Sequence, residues 1–122
     1  MLKLNEVWSF EKGDPNIAIA VIDTGLFVEH ADVIDRVWRN LPELNGQPGQ
    51  DDDDNGWIDD IFGINVVGDG PASPDVYDDN GHGTAVAGII AAGTDNEIYM
   101  SAVNWKSPVV VIKAFDDQGV GT

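Results

Sequence analysis

The stretch DDNGHGTAVAGIIAAG, from Asp78 to Gly93, constrains this chain more than any other. Small residues crowd it: Gly81, Gly83, Thr84, Ala85, Ala87, Gly88, Ala91 and Ala92. A polar turn leads into them, and the apolar pair Ile89 and Ile90 sits among them, so the segment reads as a loop feeding a buried helix. Gly81 and Gly83 permit a sharp entry, and Gly93 suits the position just past a helix end. Alanine and glycine on one face let a helix backbone lie close against a sheet. His82 stands at the mouth of that helix, where packing alone gives no reason for an imidazole.

The sheet is predicted from apolar runs. Residues 17 to 22, IAIAVI, lack polar alternation, which suits a parallel strand covered on both faces. Asp23 ends the run. In open parallel sheets functional groups gather beyond the carboxyl ends of strands, so Asp23-Thr24-Gly25 is well placed for a site. Residues 61 to 67 and the run VVVIKA from Val109 to Ala114 supply two further strands. Val7, Trp8 and Phe10 precede the turn cluster Gly13-Asp14-Pro15-Asn16 and are expected to bury against the domain. The fold class is thus α/β, a parallel sheet flanked by helices.

Two of these segments carry a family likeness. The stretch around His82 resembles the histidine motif of subtilisin-like serine proteases, usually GHGTHVAG, and IAIAVIDTG from Ile17 to Gly25 resembles their aspartate motif. HADV, AVNW and VVVIKAFDDQGVGT resemble further family segments, so the likeness covers nearly the whole chain. It implies a subtilisin-like fold and a serine endopeptidase activity. Asp23 would be the carboxylate that orients the imidazole, and His82 the general base and acid. His30 resembles a family histidine outside the catalytic set. Ala85 departs from the pattern, which usually has a second histidine there. The family's nucleophile lies in a GTSMA-type motif. None of Ser9, Ser73, Ser101 and Ser107 has that context. The resemblance therefore implies that residues 1–122 are the amino-terminal portion of a catalytic domain, incomplete and inactive alone.

The acidic loops read either as solvated surface loops or as a site for a cation. DDDDNGWIDD, Asp51 to Asp60, reads as Asp51-x-Asp53-x-Asn55-Gly56, the first half of a calcium loop whose alternating oxygens wrap a hard ion. Phe62 occupies the place of the closing bidentate glutamate, and Asp59 is a substitute donor. Clustered carboxylates repel one another unless a cation or water screens them. Asp32 aligns by resemblance with a family calcium ligand, and residues 93–99 with a family calcium loop in which Glu97, Tyr99 and Ser101 replace expected glycines. Asp69, Asp75 and Asp78 form a weaker second candidate. The candidate metal set is Asp32, Asp51, Asp53, Asn55 and Asp59, for a structural Ca²⁺.

Bulk properties narrow the partners. The net charge is −16 at pH 7, which repels nucleic acid and anionic membranes and favours cations or basic peptides. There is no cysteine, so disulfides and thiolate metal sites are excluded. No apolar run is long enough to span a bilayer. No signal peptide stands at Met1; a secreted or extracytoplasmic location is an expectation of the resemblance alone. The expected partner is a protein or peptide substrate, with self-association through an exposed sheet edge. Two other functions stay open: a non-catalytic module of the same fold binding calcium or peptide, and an unrelated metal-dependent hydrolase using Asp23.

Overall fold

The apolar runs form one parallel sheet. A computed structural model describes residues 3–121. Strand β1 is Ile19–Asp23, β2 is Gly63–Asn65 and β3 is Val109–Lys113, in the order β1-β3-β2. Ile19 pairs with Val109 and Asp23 with Lys113, while Asn65 also pairs with Lys113. The register therefore brings all three carboxyl ends to one edge, where ligands bind in such sheets.

Helix α3, His82–Ala91, lies against β1 and β3. It buries Gly83, Ala87 and Ala91, spaced four apart as one helical stripe requires. Beneath it sit Val21, Val109 and Val111, with Leu26, Val33, Val37 and Val76 closing the cluster. The largest fully buried side chains are Leu26, Val33, Val109 and Val111, so the core contains no aromatic ring at full burial among the described residues.

The structure amends several expectations. β1 starts at Ile19 and includes Asp23, and the second strand is only three residues long. The two-sided cover expected for β1 is absent: Ala20 is exposed and Ile22 is 60% exposed. The single long helix, α3, packs on the Val21 face, and no second helical layer covers the other face among the described residues. Likewise Ile89 is 55% exposed, because α3 turns Gly83, Ala87 and Ala91 inward, while its neighbour Ile90 packs partly against the core.

Of the amino-terminal apolar residues only Trp8 docks. It meets Trp105 edge-on at 5.2 Å and donates from Nε1 to the Val103 carbonyl. Val7 and Phe10 face solvent, since α1, Leu4–Val7, is a single turn with one side against the domain. Between residues 34 and 50 lie a 3₁₀ turn, Ile34–Arg36, and a short helix α2, Leu41–Asn45, which buries Glu43.

Candidate active site

Strand β1 and helix α3 converge to bring Asp23 and His82 together. Thr24 and Gly25 turn the chain sharply after β1. Gly25 has φ +118°, and an added Cβ would lie 2.6 Å from the Val76 carbonyl oxygen, so only glycine fits. Gly83 solves the matching problem on the helix: a Cβ there would lie 2.2 Å from the Gly25 carbonyl oxygen and 3.2 Å from Asp23 Cβ. The two glycines set how closely the elements approach.

At that approach His82 Nδ1 lies 2.7 Å from Asp23 Oδ1. The same oxygen accepts the Thr24 amide at 2.7 Å. The Asp23 side chain is 14% exposed and that of His82 is 67% exposed. The bond to Asp23, with its negative charge, raises the His82 pKa above the ordinary imidazole value; the charge of Asp78 adds to this and desolvation opposes it. A helix start disfavours an imidazolium; here the carboxylate prevails. With Nδ1–H committed to Asp23, the neutral ring presents Nε2 as a base.

The pair opens onto a cleft of about 420 Å³ lined also by Ile22, Thr24, Asn80, Phe115 and Gly119. Asn80 accepts the His82 amide and donates to the Asp117 carbonyl, joining the two loops that flank the cleft. No serine lines the cleft among the described residues. Ser9 Oγ donates to the Glu6 carbonyl, Ser107 Oγ accepts the Asp14 amide, and Ser73 pairs with Asn65 through the backbone. His30 packs against Phe27 and Tyr99, away from the pair, and Ala85 is exposed on α3.

Of the predicted metal residues, Asp51, Asp53 and Asn55 lie together, the Asn55 amide donating to both carboxylates at 3.0 and 3.1 Å. Asp51 also accepts the Gly56 amide, and Asp59 accepts the Gly49 amide. Asp53 also joins Glu43 and Asp60, and the ligand atoms of these three lie within 4.8 Å of one another. Glu43 and Asp60 are buried. Asn55 donates to both Asp53 and Asp60, and Asn40 does the same from α2's amino end. Sequence spacing singles out neither Glu43 nor Asp60: Glu43 precedes the acidic stretch, and Asp60, its last residue, falls outside the alternating Asp51-x-Asp53-x-Asn55 pattern.

Asp32 sits elsewhere. Its buried carboxylate accepts Asn96 Nδ2 at 2.8 Å and the Met100 amide at 3.4 Å. Asp95, Glu97 and Tyr99 in that loop have φ of 63°, 60° and 37°, so non-glycine residues adopt the backbone that glycines would take more cheaply. Asp69, Asp75 and Asp78 are not gathered: Asp75 accepts the Tyr77 amide and Asp78 is enclosed by donors of the α3 entry.

Comparison with known proteins places the chain in a family. The subtilase family profile matches residues 14–122. Subtilisin-like protease 1 of Plasmodium berghei (strain Anka) is 46% identical over 103 residues, which is 84% of this chain and 17% of that protein. The cell wall-associated protease of Bacillus subtilis (strain 168) is 36% identical over 84% of this chain and 9% of its own length. The intracellular serine protease of Paenibacillus polymyxa is 33% identical over 99% of this chain and 30% of its own. The chain thus spans less than a third of the length of each of these relatives. By these matches it belongs to the subtilase family.

Proposed function

From its place in the subtilase family we infer that this chain is the aspartate- and histidine-bearing portion of a serine endopeptidase. One observation carries the reading: the 2.7 Å contact between Asp23 Oδ1 and His82 Nδ1 at the mouth of an open cleft. Asp23 holds the imidazole in the tautomer whose Nε2 is free and stabilises the imidazolium when it forms. His82 takes the proton of a serine hydroxyl as that oxygen attacks the peptide carbonyl, then returns it to the leaving amine. Water repeats the cycle on the acyl-enzyme. The serine comes from the remainder of a longer polypeptide, in keeping with the small share of its relatives that this chain covers. The substrate is a protein or peptide, met outside the cytoplasm.

Residues 1–122 alone are expected to hydrolyse no peptide. Hydrolysis by the purified chain that disappears in His82→Ala would overturn this. In the full-length parent a serine-directed phosphonate should label one residue and abolish cleavage. A parent that folds yet resists the probe would favour a non-catalytic module of the same fold.

A structural calcium ion belongs to the same reading. The donor set fits a hard cation, because Glu43, Asp53 and Asp60 offer only carboxylate oxygens and two of them are buried. Asp51, Asn55 and Asp59 hold the loop around them, and Asp32 with residues 93–100 forms a separate candidate. Calcium that binds only the folded form raises its melting temperature. Millimolar calcium should do so here, and Glu43→Gln with Asp60→Asn should remove most of the gain. An unchanged melting temperature would remove the metal.

A further inference from the structure

The Asp23–His82 contact is made by the tips of two elements, and a third group joins those tips. The Asp78 carboxylate, 8% exposed, receives five hydrogen bonds. Its Oδ1 accepts the Thr24 hydroxyl at 2.8 Å, the Asn80 amide at 3.1 Å and the Gly81 amide at 2.8 Å. Its Oδ2 accepts the Thr84 amide at 2.8 Å and the Thr84 hydroxyl at 2.6 Å.

Thr24 is the bridge. Its hydroxyl donates to Asp78 and accepts the Gly83 amide at 2.9 Å, while its own amide donates to Asp23 Oδ1. Thr24, buried just past the end of β1, thus ties Asp23 to Gly83, the neighbour of His82 in α3. Thr84 repeats the tie: its hydroxyl, donating to Asp78, accepts the Phe27 amide at 3.0 Å. The backbone carrying Asp78 is itself pinned to β3. Lys113, 6% exposed, donates to the Tyr77 carbonyl at 2.5 Å and to Asp79 at 2.7 Å.

We propose that Asp78 is a positioning residue for the Asp23–His82 pair, acting through Thr24 and the first turn of α3. The inference rests on the reading of those two residues as orienting carboxylate and base. The chemistry demands an acceptor on both oxygens. An asparagine would place an NH₂ against the donors on one of them, so either Thr24 or Thr84 would lose its anchor. Burial opposes ionisation of Asp78, yet the bonds from Thr84, Gly81 and Thr24 outweigh it and hold its pKa well below the carboxylate range.

The test reads His82 directly in the 122-residue chain, by ¹⁵N-resolved NMR of the imidazole. Wild type should show a downfield Nδ1 proton and a titration midpoint above that of free imidazole. Asp78→Asn and Thr24→Val, compared at a temperature where both are folded, should lose the downfield proton and move the midpoint towards free imidazole. Thr24→Val leaves the Asp78 charge in place, so its effect is not Coulombic. Thr24→Ser keeps the hydroxyl and should retain the wild-type spectrum even if it melts lower. Should Asp78→Asn fail to fold, the contrast between valine and serine at Thr24 decides alone. Folded variants that keep the wild-type proton and midpoint overturn the positioning role and leave the pair intact. A wild-type His82 that titrates like free imidazole overturns the pair itself.

Discussion

At the scale of single residues the 2.7 Å contact between Asp23 and His82 has a sign that experiment can read. The folded-state pKa of His82 lies above its unfolded value because of Asp23. The contact therefore stabilises the fold fully at pH below the unfolded value, and that contribution is lost as pH rises through the raised folded value. Asp23→Asn removes both the bond and the charge. In that variant the NMR midpoint of His82 should fall and the acid-side gain in stability should vanish; an unmoved midpoint would show that the two groups do not interact in solution. On the proposed function, the same substitution in a longer serine endopeptidase containing this portion should lower kcat by about 10,000-fold, because the imidazole is then held in the wrong tautomer. Asp23 and His82 stand out in the sequence at pattern breaks, one ending an apolar run and one opening a small-residue helix, but their roles come from the motifs around them that resemble those of subtilases. Glu43 and the tie from Asp78 to Thr24 were not legible there, since their partners are brought together only by the folded chain: Thr24 and Asp78 are 54 positions apart.

At the scale of the element, α3 carries two glycines that sequence alone cannot tell apart. Both lie inside the helix, where alanine is worth up to about 1 kcal/mol more than glycine. Gly88 has open space around the place of a Cβ, whereas at Gly83 a Cβ would meet the Gly25 backbone. Gly88→Ala should therefore stabilise the chain by up to about 1 kcal/mol in urea denaturation. Gly83→Ala should destabilise it by about 1–3 kcal/mol or more, since backbone must shift, and should push Asp23 from His82. Equal effects at the two positions would mean that α3 does not seat on β1 as described. The helix and the strand class were legible because a small-residue run between a polar turn and a glycine, and continuous apolar runs, are local signals. Strand ends and the bare face of β1 were not, because cover on a sheet face depends on what packs there. Trp8 differs from Val7 and Phe10 for the same reason: only it reaches Trp105.

At the scale of the whole molecule, the sheet's open face meets an unusual charge. The register sets Ala20 beside Val110, and Ile112 between Ile22 and Ile64, so the face away from α3 carries an apolar row across all three strands. β1 also lies at the sheet's border, with β3 on one side only. Unpaired edges and bare apolar faces drive association between chains. The net charge of −16 drives copies apart. The first force acts at contact and is insensitive to dilute salt, whereas the second is screened over about 10 Å at 0.1 M ionic strength. Which one wins is therefore set by salt. Light scattering should find a monomer at low ionic strength and a mass that grows with protein concentration once salt is raised. Ala20→Lys, placed on the open face of the border strand, changes the formal charge by one and hardly alters the long-range repulsion, so it should abolish the growth by blocking contact itself. If wild type stays monomeric at high salt and high concentration, the open face is too small or too wet to pair. If Ala20→Lys associates as wild type does, the contact lies elsewhere, on the exposed side of α3 around Ile89 and Val103.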